Sequence, residues 1–183
     1  VIMPVYNGEK FLKQAIDSIL EQDFSDFEFI IINDGSTDTS EQIILSYDDS
    51  RIRYVRNDSN IRLIKTLNKG IDLARGKYIA RMDADDISTR DRLSKQVNIL
   101  DASSNIHIVS STAYNILDDG SVFAPPTKWY SSGAIKIISP LANLVCHPTI
   151  MCRSEVLKNN KYKDKEDYVH IEDAELWIRL LEK

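Results

Sequence analysis

Short apolar segments alternate with longer amphipathic segments over the first 82 residues of the chain. The apolar segments occupy residues 1–5, 27–32, 52–55 and 78–82. Apolar runs this short and rich in β-branched residues are typical of strands that are covered on both faces. The amphipathic segments occupy residues 11–20, 40–47 and 61–74, and their helical spacing predicts helices. This alternation predicts βαβ units and a layered α/β/α architecture of Rossmann type, with a mainly parallel central sheet.

The second half of the sequence is less regular. A helix is predicted at residues 90–100 and a strand at 106–111. The turn sequence at residues 118–121 lies between two apolar segments and predicts a small β-hairpin. Residues 147–151 are predicted to be a strand or extended segment, residues 159–167 a lysine-rich loop, and the residues after 171 a final helix. The sequence pattern predicts no definite secondary structure between residues 125 and 144.

Composition limits the classes of protein to which the chain can belong. Its 183 residues are 43% hydrophobic and 28% charged, which is ordinary for one soluble globular domain. The net charge of −5 argues against a nucleic-acid partner, since such proteins carry a basic face. With only Cys146 and Cys152, and with neither a signal peptide nor a membrane span in the sequence, we expect a cytoplasmic protein.

Both termini of the sequence have the character of interrupted elements. The first residues form a strand pattern that is already under way, and the last helical pattern continues to residue 183. We therefore expect a longer natural protein, truncated here at both ends. Its further segments could mediate peripheral association with the inner face of a membrane.

Three carboxylates fall within four residues directly after the strand predicted at residues 78–82. Asp83 and Asp85 are two positions apart with the small Ala84 between them, and Asp86 follows. In a turn, this spacing lets two carboxylates converge on one side of the chain. Such a pair suits a hard divalent cation that keeps coordination positions open for phosphate oxygens. The alternative is a solvated acidic turn, because aspartate is common in turns.

Polar segments also follow the first and second predicted strands, at residues 4–7 and 33–36. In a doubly wound sheet, ligands bind outside the carboxyl ends of the strands. The architecture therefore predicts that residues far apart in sequence, such as Tyr6, Asp34 and Asp83, meet along one edge of the sheet.

The order of these segments resembles the family 2 glycosyltransferases. The matching segments are Pro-Val-Tyr-Asn at 4–7, Asn-Asp-Gly-Ser-Thr-Asp at 33–38, Ala-Arg-Gly-Lys-Tyr-Ile at 74–79, Asp-Ala-Asp-Asp at 83–86, His-Pro-Thr at 147–149 and Glu-Asp at 172–173. The resemblance covers nearly the whole chain. It implies a GT-A fold and an inverting transfer of a sugar from a nucleoside diphosphate to an acceptor hydroxyl. Asn33 is one departure, because the family more often has aspartate there.

The resemblance implies a donor site for a nucleotide-sugar, with a UDP-sugar expected. The implied nucleotide-sugar-binding residues are Pro4, Tyr6, Asp34, Arg62, Asp83 and Ala84. Among these, Tyr6 would lie against the base and Asp34 would accept the uracil N–H. Asp83 would face the ribose and the metal, and Asp85 would bind the metal, Mg²⁺ or Mn²⁺, directly. The alternatives are a packing tyrosine at position 6, a turn carboxylate at position 34 and a solvated helix arginine at position 62.

The resemblance also implies a general base for the inverting displacement, and Asp173 is the candidate. Its alternative role is that of a helix cap, because it lies near the predicted start of the last helix. Glu172 would orient or line the acceptor site. Asp86 is either a site residue or a turn cap, and His147 either approaches the phosphates or has a structural role. Trp177 either packs under an acceptor sugar or belongs to the core.

Residues 1–183 are expected to form one catalytic domain, with a donor-binding half at 1–100 and an acceptor-binding half at 101–183. The expected acceptor is a saccharide or a lipid-linked saccharide in polysaccharide or glycoconjugate biosynthesis. Two alternatives are a sugar nucleotidyltransferase and a non-catalytic homologue that keeps the fold. The loop at residues 6–9 lacks the glycines and basic pair of the first class. The four placed carboxylates Asp34, Asp83, Asp85 and Asp173 argue against the second.

Overall fold

The computed structural model describes residues 1–117, 119–124, 132–138, 144–165, 168 and 170–181. The strands are β1 (Ile2–Val5), β2 (Phe29–Asn33), β3 (Ile52–Arg56), β4 (Tyr78–Ala80), β5 (Ile108–Val109), β6 (Asn115–Ile116), β7 (Val122–Phe123) and β8 (Met151–Arg153). The helices are α1 (Leu12–Leu20), α2 (Ser40–Leu45), α3 (Leu63–Leu73), α4 (Arg92–Ala102), α5 (Ser132–Ile138), α6 (Ser154–Asn159) and α7 (Glu172–Leu181).

The central layer consists of a parallel sheet extended by an antiparallel one. β1, β2 and β3 are parallel with β2 in the middle, and β8 pairs antiparallel with β4 on one side and β5 on the other. A parallel bridge between Ile2 and Arg81 joins the two sheets, and the N–H of Met82 donates to the carbonyl of Ile2 at 3.0 Å. The strand order across both sheets is therefore β3-β2-β1-β4-β8-β5. The predicted α/β class is confirmed, and the antiparallel pairs in the described residues involve β4 to β8.

The core explains why the first four residues of β2, at positions 29–32, are all apolar. Every residue of β2 is buried, and successive side chains enter different clusters. Phe29 and Ile31 pack with residues of α1 and α2, whereas Ile30 and Ile32 pack with residues of α3 and α7. Successive residues of a strand point to opposite faces, so helices on both sides favour apolar residues at each of positions 29–32.

The segment around residue 147 differs from its prediction. Residues His147–Thr149 form a 3₁₀ turn, and the strand begins only at Met151. Pro148 has a fixed φ and no N–H to give to a sheet, which favours a turn at this point. The N–H of Thr149 donates to the carbonyl of Cys146 at 3.1 Å and closes the turn. The short helix α6 directly after β8 was not predicted.

The predicted hairpin is formed by β6 and β7, which pair antiparallel with Ile116 opposite Val122. Gly120 has a φ of +80° in the turn, a conformation that glycine adopts without strain. Of the stretch between residues 125 and 144, the structure describes α5 and Leu144, and the rest lies outside the described residues. Among the helices of the described ranges, none has the length and apolar character needed to cross a membrane.

Candidate functional site

A cleft of about 1180 Å³ opens at the carboxyl ends of the parallel strands. Its walls include Pro4 near the end of β1 and Tyr6 directly after that strand, Asp34 after β2, and Asp83 and Asp85 after β4. These are the three polar segments that the topology predicted to meet. Residues 60–65, at the start of α3, form another wall of the same cleft.

The loop after β1 is fastened to the loop after β2. The N–H of Asn7 donates to Oγ of Ser36 at 3.0 Å, and Oδ1 of Asn7 accepts the N–H of Thr37 at 2.8 Å. Asn7 has a φ of +51°, a left-handed conformation that asparagine tolerates better than most residues. These bonds leave Tyr6 half exposed (51%) at the cleft wall. An exposed ring on a fixed loop is suited to stacking on a planar ligand.

Asp34 is buried (3% exposed), although it lines the cleft. Its Oδ1 accepts hydrogen bonds from Nδ2 of Asn57 at 2.7 Å and from the N–H of Ile61 at 3.0 Å. The next residue, Gly35, has a φ of +71°, and a Cβ there would lie 2.6 Å from the backbone carbon of Ser59. The Asp-Gly pair therefore lets the loop before α3 pack directly against the end of β2.

Arg62 precedes α3 with a φ of +72° and a ψ of 162°. This backbone region strongly favours glycine, and other residues persist there only when their surroundings enforce it. The N–H of Arg62 donates to Oδ1 of Asn60 at 2.8 Å, which fixes the turn. The exposed side chain of Arg62 lines the cleft, and its role beside a nucleotide stays a prediction.

The three carboxylates after β4 have different surroundings. Asp83 forms an ion pair with Arg81, while Asp85 is exposed at the cleft wall. Burial raises the pKa of Asp83, and the positive charge of Arg81 opposes that rise. Burial also raises the pKa of Asp86, with a further contribution from the negative charge of Asp85. Ala84 lines the cleft between the first two.

The donor atoms available for a cation are the oxygens of Asp83 and Asp85. Within the described ranges, no group of three His, Cys, Asp or Glu side chains is close enough to hold a metal ion. A magnesium ion commonly uses one or two protein carboxylates and completes its shell with substrate phosphates and water. Two carboxylates on the wall of an open cleft fit that mode of binding, and they do not form a closed protein cage.

The two acidic residues at the start of α7 are placed differently. Glu172 is buried (8% exposed) and lines the cleft. Asp173 is half-buried in the first turn of α7, where its Oδ1 accepts the N–H of Ala174 at 2.8 Å. Asp173, in contrast to Glu172, is not among the described residues that line the cleft. The role of Asp173 as base stays a prediction.

His147 and Trp177 lie behind the cleft and do not belong to its described lining. Nε2 of His147 lies 2.7 Å from the hydroxyl of Tyr162, and its ring packs edge-on against Trp177. Trp177 is 3% exposed and belongs to the core between the sheet and α7. These contacts favour the structural alternatives for both residues.

The buried His147 is expected to make the fold sensitive to acid. Burial and the charge of Arg81 lower the pKa of His147 from 6.5 to about 3. Between these values the unfolded chain binds a proton that the folded chain does not, so stability falls as the pH falls through that window. The free energy of unfolding should therefore fall by about 1.4 kcal/mol per pH unit from this residue alone between pH 6 and 4.

Chemical denaturation at several pH values measures this slope. The His147→Asn variant should lose this contribution to the slope, whereas His107→Asn, a change at an exposed histidine, should keep it. Equal slopes in the wild type and the His147→Asn variant would contradict a neutral buried histidine.

Several residues of the cleft were not predicted from sequence. They are Lys10, Phe11, Asn60, Ile61, Leu63, Ile64, Lys65, Asp164, Lys165 and His170. Asp164 and Lys165 reach the cleft because their loop is held on α3. Nδ2 of Asn68 donates to the carbonyl of Tyr162 at 2.9 Å, and its Oδ1 accepts the N–H of the same residue at 3.1 Å. No local pattern in the sequence signals such a pairing.

Comparison with solved structures identifies the fold. Residues 1–349 of TarS from S. aureus, solved in complex with UDP, align with a TM-score of 0.76 at 22% identity, covering 96% of this chain and 52% of that chain. The mannosyltransferase PcManGT from Pyrobaculum calidifontis, solved with GDP-Man and Mn²⁺, aligns with a TM-score of 0.68 at 19% identity, covering 88% and 46%. These similarities confirm the predicted GT-A fold.

Comparison of sequences identifies the family. The chain is 37% identical to an uncharacterized glycosyltransferase of Methanocaldococcus jannaschii, MJ1057, over 99% of this chain and 63% of that protein. It is 34% identical to the putative glycosyltransferase EpsE of Bacillus subtilis, over 100% of this chain and 66% of that protein. The chain thus spans about three fifths of the length of these curated relatives. The family model described as glycosyl transferase family 2 matches residues 1–160. The chain therefore belongs to glycosyl transferase family 2.

Proposed function

We propose that the cleft binds a nucleoside-diphosphate sugar, with UDP as the nucleotide, and that the protein transfers the sugar to an acceptor hydroxyl with inversion. The observation that carries this proposal is the convergence of Tyr6, Asp34 and Asp85 on one cleft. Such a cleft offers an aromatic ring for a base, a buried carboxylate for a base N–H and an exposed carboxylate for a cation. Solved relatives of the fold hold UDP, UDP-GlcNAc or GDP-Man, which supports this class of donor.

The proposed pose of the donor follows from the surroundings of each group in the cleft. Asp34 is fixed by Asn57 and Ile61 on one oxygen, so its other oxygen is the one available to a uracil N–H. Tyr6 would lie on the face of the base. Arg62 would add positive charge near the phosphates. This pose assigns residues 1–100 to the donor.

The proposed cation is Mg²⁺ or Mn²⁺, held mainly by Asp85. When bound, such an ion neutralises charge on the departing nucleoside diphosphate. Inversion requires a single displacement, so a base must remove the acceptor proton on the face opposite the leaving group. Asp173 is the proposed base and Glu172 the proposed acceptor-side residue. This arrangement assigns residues 101–183 to the acceptor.

A donor screen tests the proposal. Purified protein is incubated with a panel of UDP-sugars and GDP-sugars, with Mn²⁺ or with chelator, and release of the free nucleotide is measured. We expect release from a UDP-sugar in the presence of the cation. Release only from GDP-sugars would contradict the choice of nucleotide. Wild-type protein that releases and binds no nucleotide under any condition would contradict the proposed function as a whole.

Substitution of Asp34 is expected to weaken UDP binding by roughly 1–3 kcal/mol, the range for losing a partner of a buried polar group. Asp34→Ala should also lower the melting temperature, because Asn57 and the N–H of Ile61 lose their acceptor. Asp34→Asn keeps an acceptor oxygen for both and should stay close to wild-type stability. Calorimetry with UDP then separates the two effects. Unchanged affinity in a folded Asp34→Asn protein would reduce Asp34 to a turn residue.

A further inference from the structure

Arg81 is a buried arginine in the strand end that carries the acidic segment. Its backbone is held from two sides, since its N–H donates to the carbonyl of Ile150 at 3.0 Å and its carbonyl accepts Nη2 of Arg92 at 2.6 Å. Alternate residues of a strand share a face, so the side chain of Arg81 lies on the face of Ile79, in the cluster that α3 and α7 cover. Asp83, two residues further, is within its reach.

The guanidinium and carboxylate of this pair meet on both oxygens. Nη1 of Arg81 donates to Oδ2 of Asp83 at 2.7 Å, and Nη2 of Arg81 contacts Oδ1. The side chain of Arg81 is 7% exposed, against 29% for that of Asp83, so the arginine supports the carboxylate from inside the protein. A two-point contact between guanidinium and carboxylate fixes orientation as well as charge.

This fork changes what Asp83 can bind. A carboxylate has about four lone-pair sites, and the fork uses one on each oxygen, which leaves Asp83 able to accept hydrogen bonds from the cleft side. The adjacent guanidinium charge weakens the attraction of Asp83 for a cation, so Asp85 is the stronger of the two candidate ligands. Asp85 has no such partner: within the described ranges, no hydrogen bond or ion pair joins its carboxylate to another group.

The resemblance to the family already implies that Asp83 faces the ribose and that Asp85 binds the cation. We propose that Arg81 is the positioning residue for this arrangement, because its fork holds the carboxylate of Asp83 in the orientation that accepts the ribose hydroxyls. The inference rests on the proposed function, because it assumes a nucleotide in the cleft. Lysine at position 81 would keep the charge but lose the fork, since an ammonium is a point charge without the planar geometry of a guanidinium.

Calorimetry in Mn²⁺ with two probes, UDP and 2′,3′-dideoxyuridine diphosphate, tests the proposal. Wild-type protein should bind UDP about 10- to 100-fold more tightly than the dideoxy probe, as expected for hydrogen bonds to a charged acceptor. In Arg81→Lys, with folding verified by circular dichroism, this ratio should fall towards one. A ratio that Arg81→Lys leaves unchanged would overturn the positioning role, and equal wild-type affinities for the two probes would overturn the ribose assignment.

Arg51→Lys is the matched control. Arg51 also forks an aspartate two residues away, with Nε 3.0 Å from Oδ1 and Nη2 2.7 Å from Oδ2 of Asp49, but this pair precedes β3 and lies outside the cleft lining. The UDP-to-dideoxy ratio should match the wild type in Arg51→Lys. A fall equal to that in Arg81→Lys would overturn a specific role for Arg81.

A spectroscopic measurement keeps the test independent of turnover, of nucleotide binding and of the variant's folding. In ligand-free wild type, NMR of the guanidinium should show restricted rotation and slow proton exchange for Arg81. A freely rotating Arg81 guanidinium would overturn the fork, whatever the nucleotide measurements give. Failure of the wild type to bind UDP while Arg81 is restricted would contradict the proposed donor and leave the fork itself supported.

Discussion

Asp173→Asn is expected to lower glycosyl transfer by about 10²–10⁴-fold, the usual contribution of a positioned general base. The substitution keeps the shape of the side chain but removes its basicity. Asp173 lies in the first turn of α7, where loss of a negative charge costs about 0.3–1 kcal/mol, so the melting temperature should fall only slightly. UDP affinity should also survive, because the proposed nucleotide contacts lie at Tyr6, Asp34 and Asp85.

Two further variants, Asp173→Ala and Glu172→Gln, distinguish a catalytic role of Asp173 from a structural one. If Asp173 only stabilises the first turn of α7, Asp173→Ala should cost about 0.3–1 kcal/mol of stability, and Asp173→Asn should be almost neutral in transfer. Glu172→Gln is the matched control for charge, because the neighbouring carboxylate is buried and lines the cleft. Near-normal transfer by folded Asp173→Asn, with a large loss in Glu172→Gln, would make Glu172 the base.

Asp85→Ala is expected to abolish both transfer and its dependence on Mg²⁺ or Mn²⁺. Asp85 is the exposed carboxylate of the acidic segment, whereas Asp83 forms an ion pair with Arg81. Without a cation, the diphosphate of the donor would face an acidic rim on a protein of net charge −5. Nucleotide release assayed against cation concentration measures the effect.

Asp48→Ala is the control for the loss of one surface carboxylate, because Asp48 is exposed and lies outside the described lining of the cleft. It should keep wild-type activity and cation dependence. Full turnover of the wild type in excess chelator would remove the cation from the mechanism.

The fold of the first half follows from local patterns because β1, β2 and β3 pair in parallel and regular helices connect the successive strands. The predicted strand at 27–32 and the observed Phe29–Asn33 differ only at their ends, and the helical spacing located α1 and α3 similarly. The meeting of Tyr6, Asp34 and Asp85 was also predictable, since parallel strands bring their carboxyl ends to one edge of the sheet.

The rest depends on contacts between distant segments. β8 enters the sheet between β4 and β5 in antiparallel orientation, and no turn signal links it to either strand. The approach of Asp164 to the cleft depends on Asn68, nearly 100 residues earlier in the chain. The fork on Asp83 had a local signal, an arginine in an otherwise apolar strand end. The direction of the Arg81 side chain depends on which face of the sheet the helices cover. The sequence of the strand alone does not predict this.

A crystal structure of the chain with UDP and Mn²⁺ tests most directly whether this cleft is the donor site. Anomalous scattering from Mn²⁺ locates the cation independently of the protein phases. We expect the Mn²⁺ peak beside the carboxylate of Asp85, the diphosphate next to it and the uracil between Tyr6 and Asp34. A nucleotide bound outside this cleft, or a Mn²⁺ peak remote from Asp85 with UDP present, would contradict the assignment.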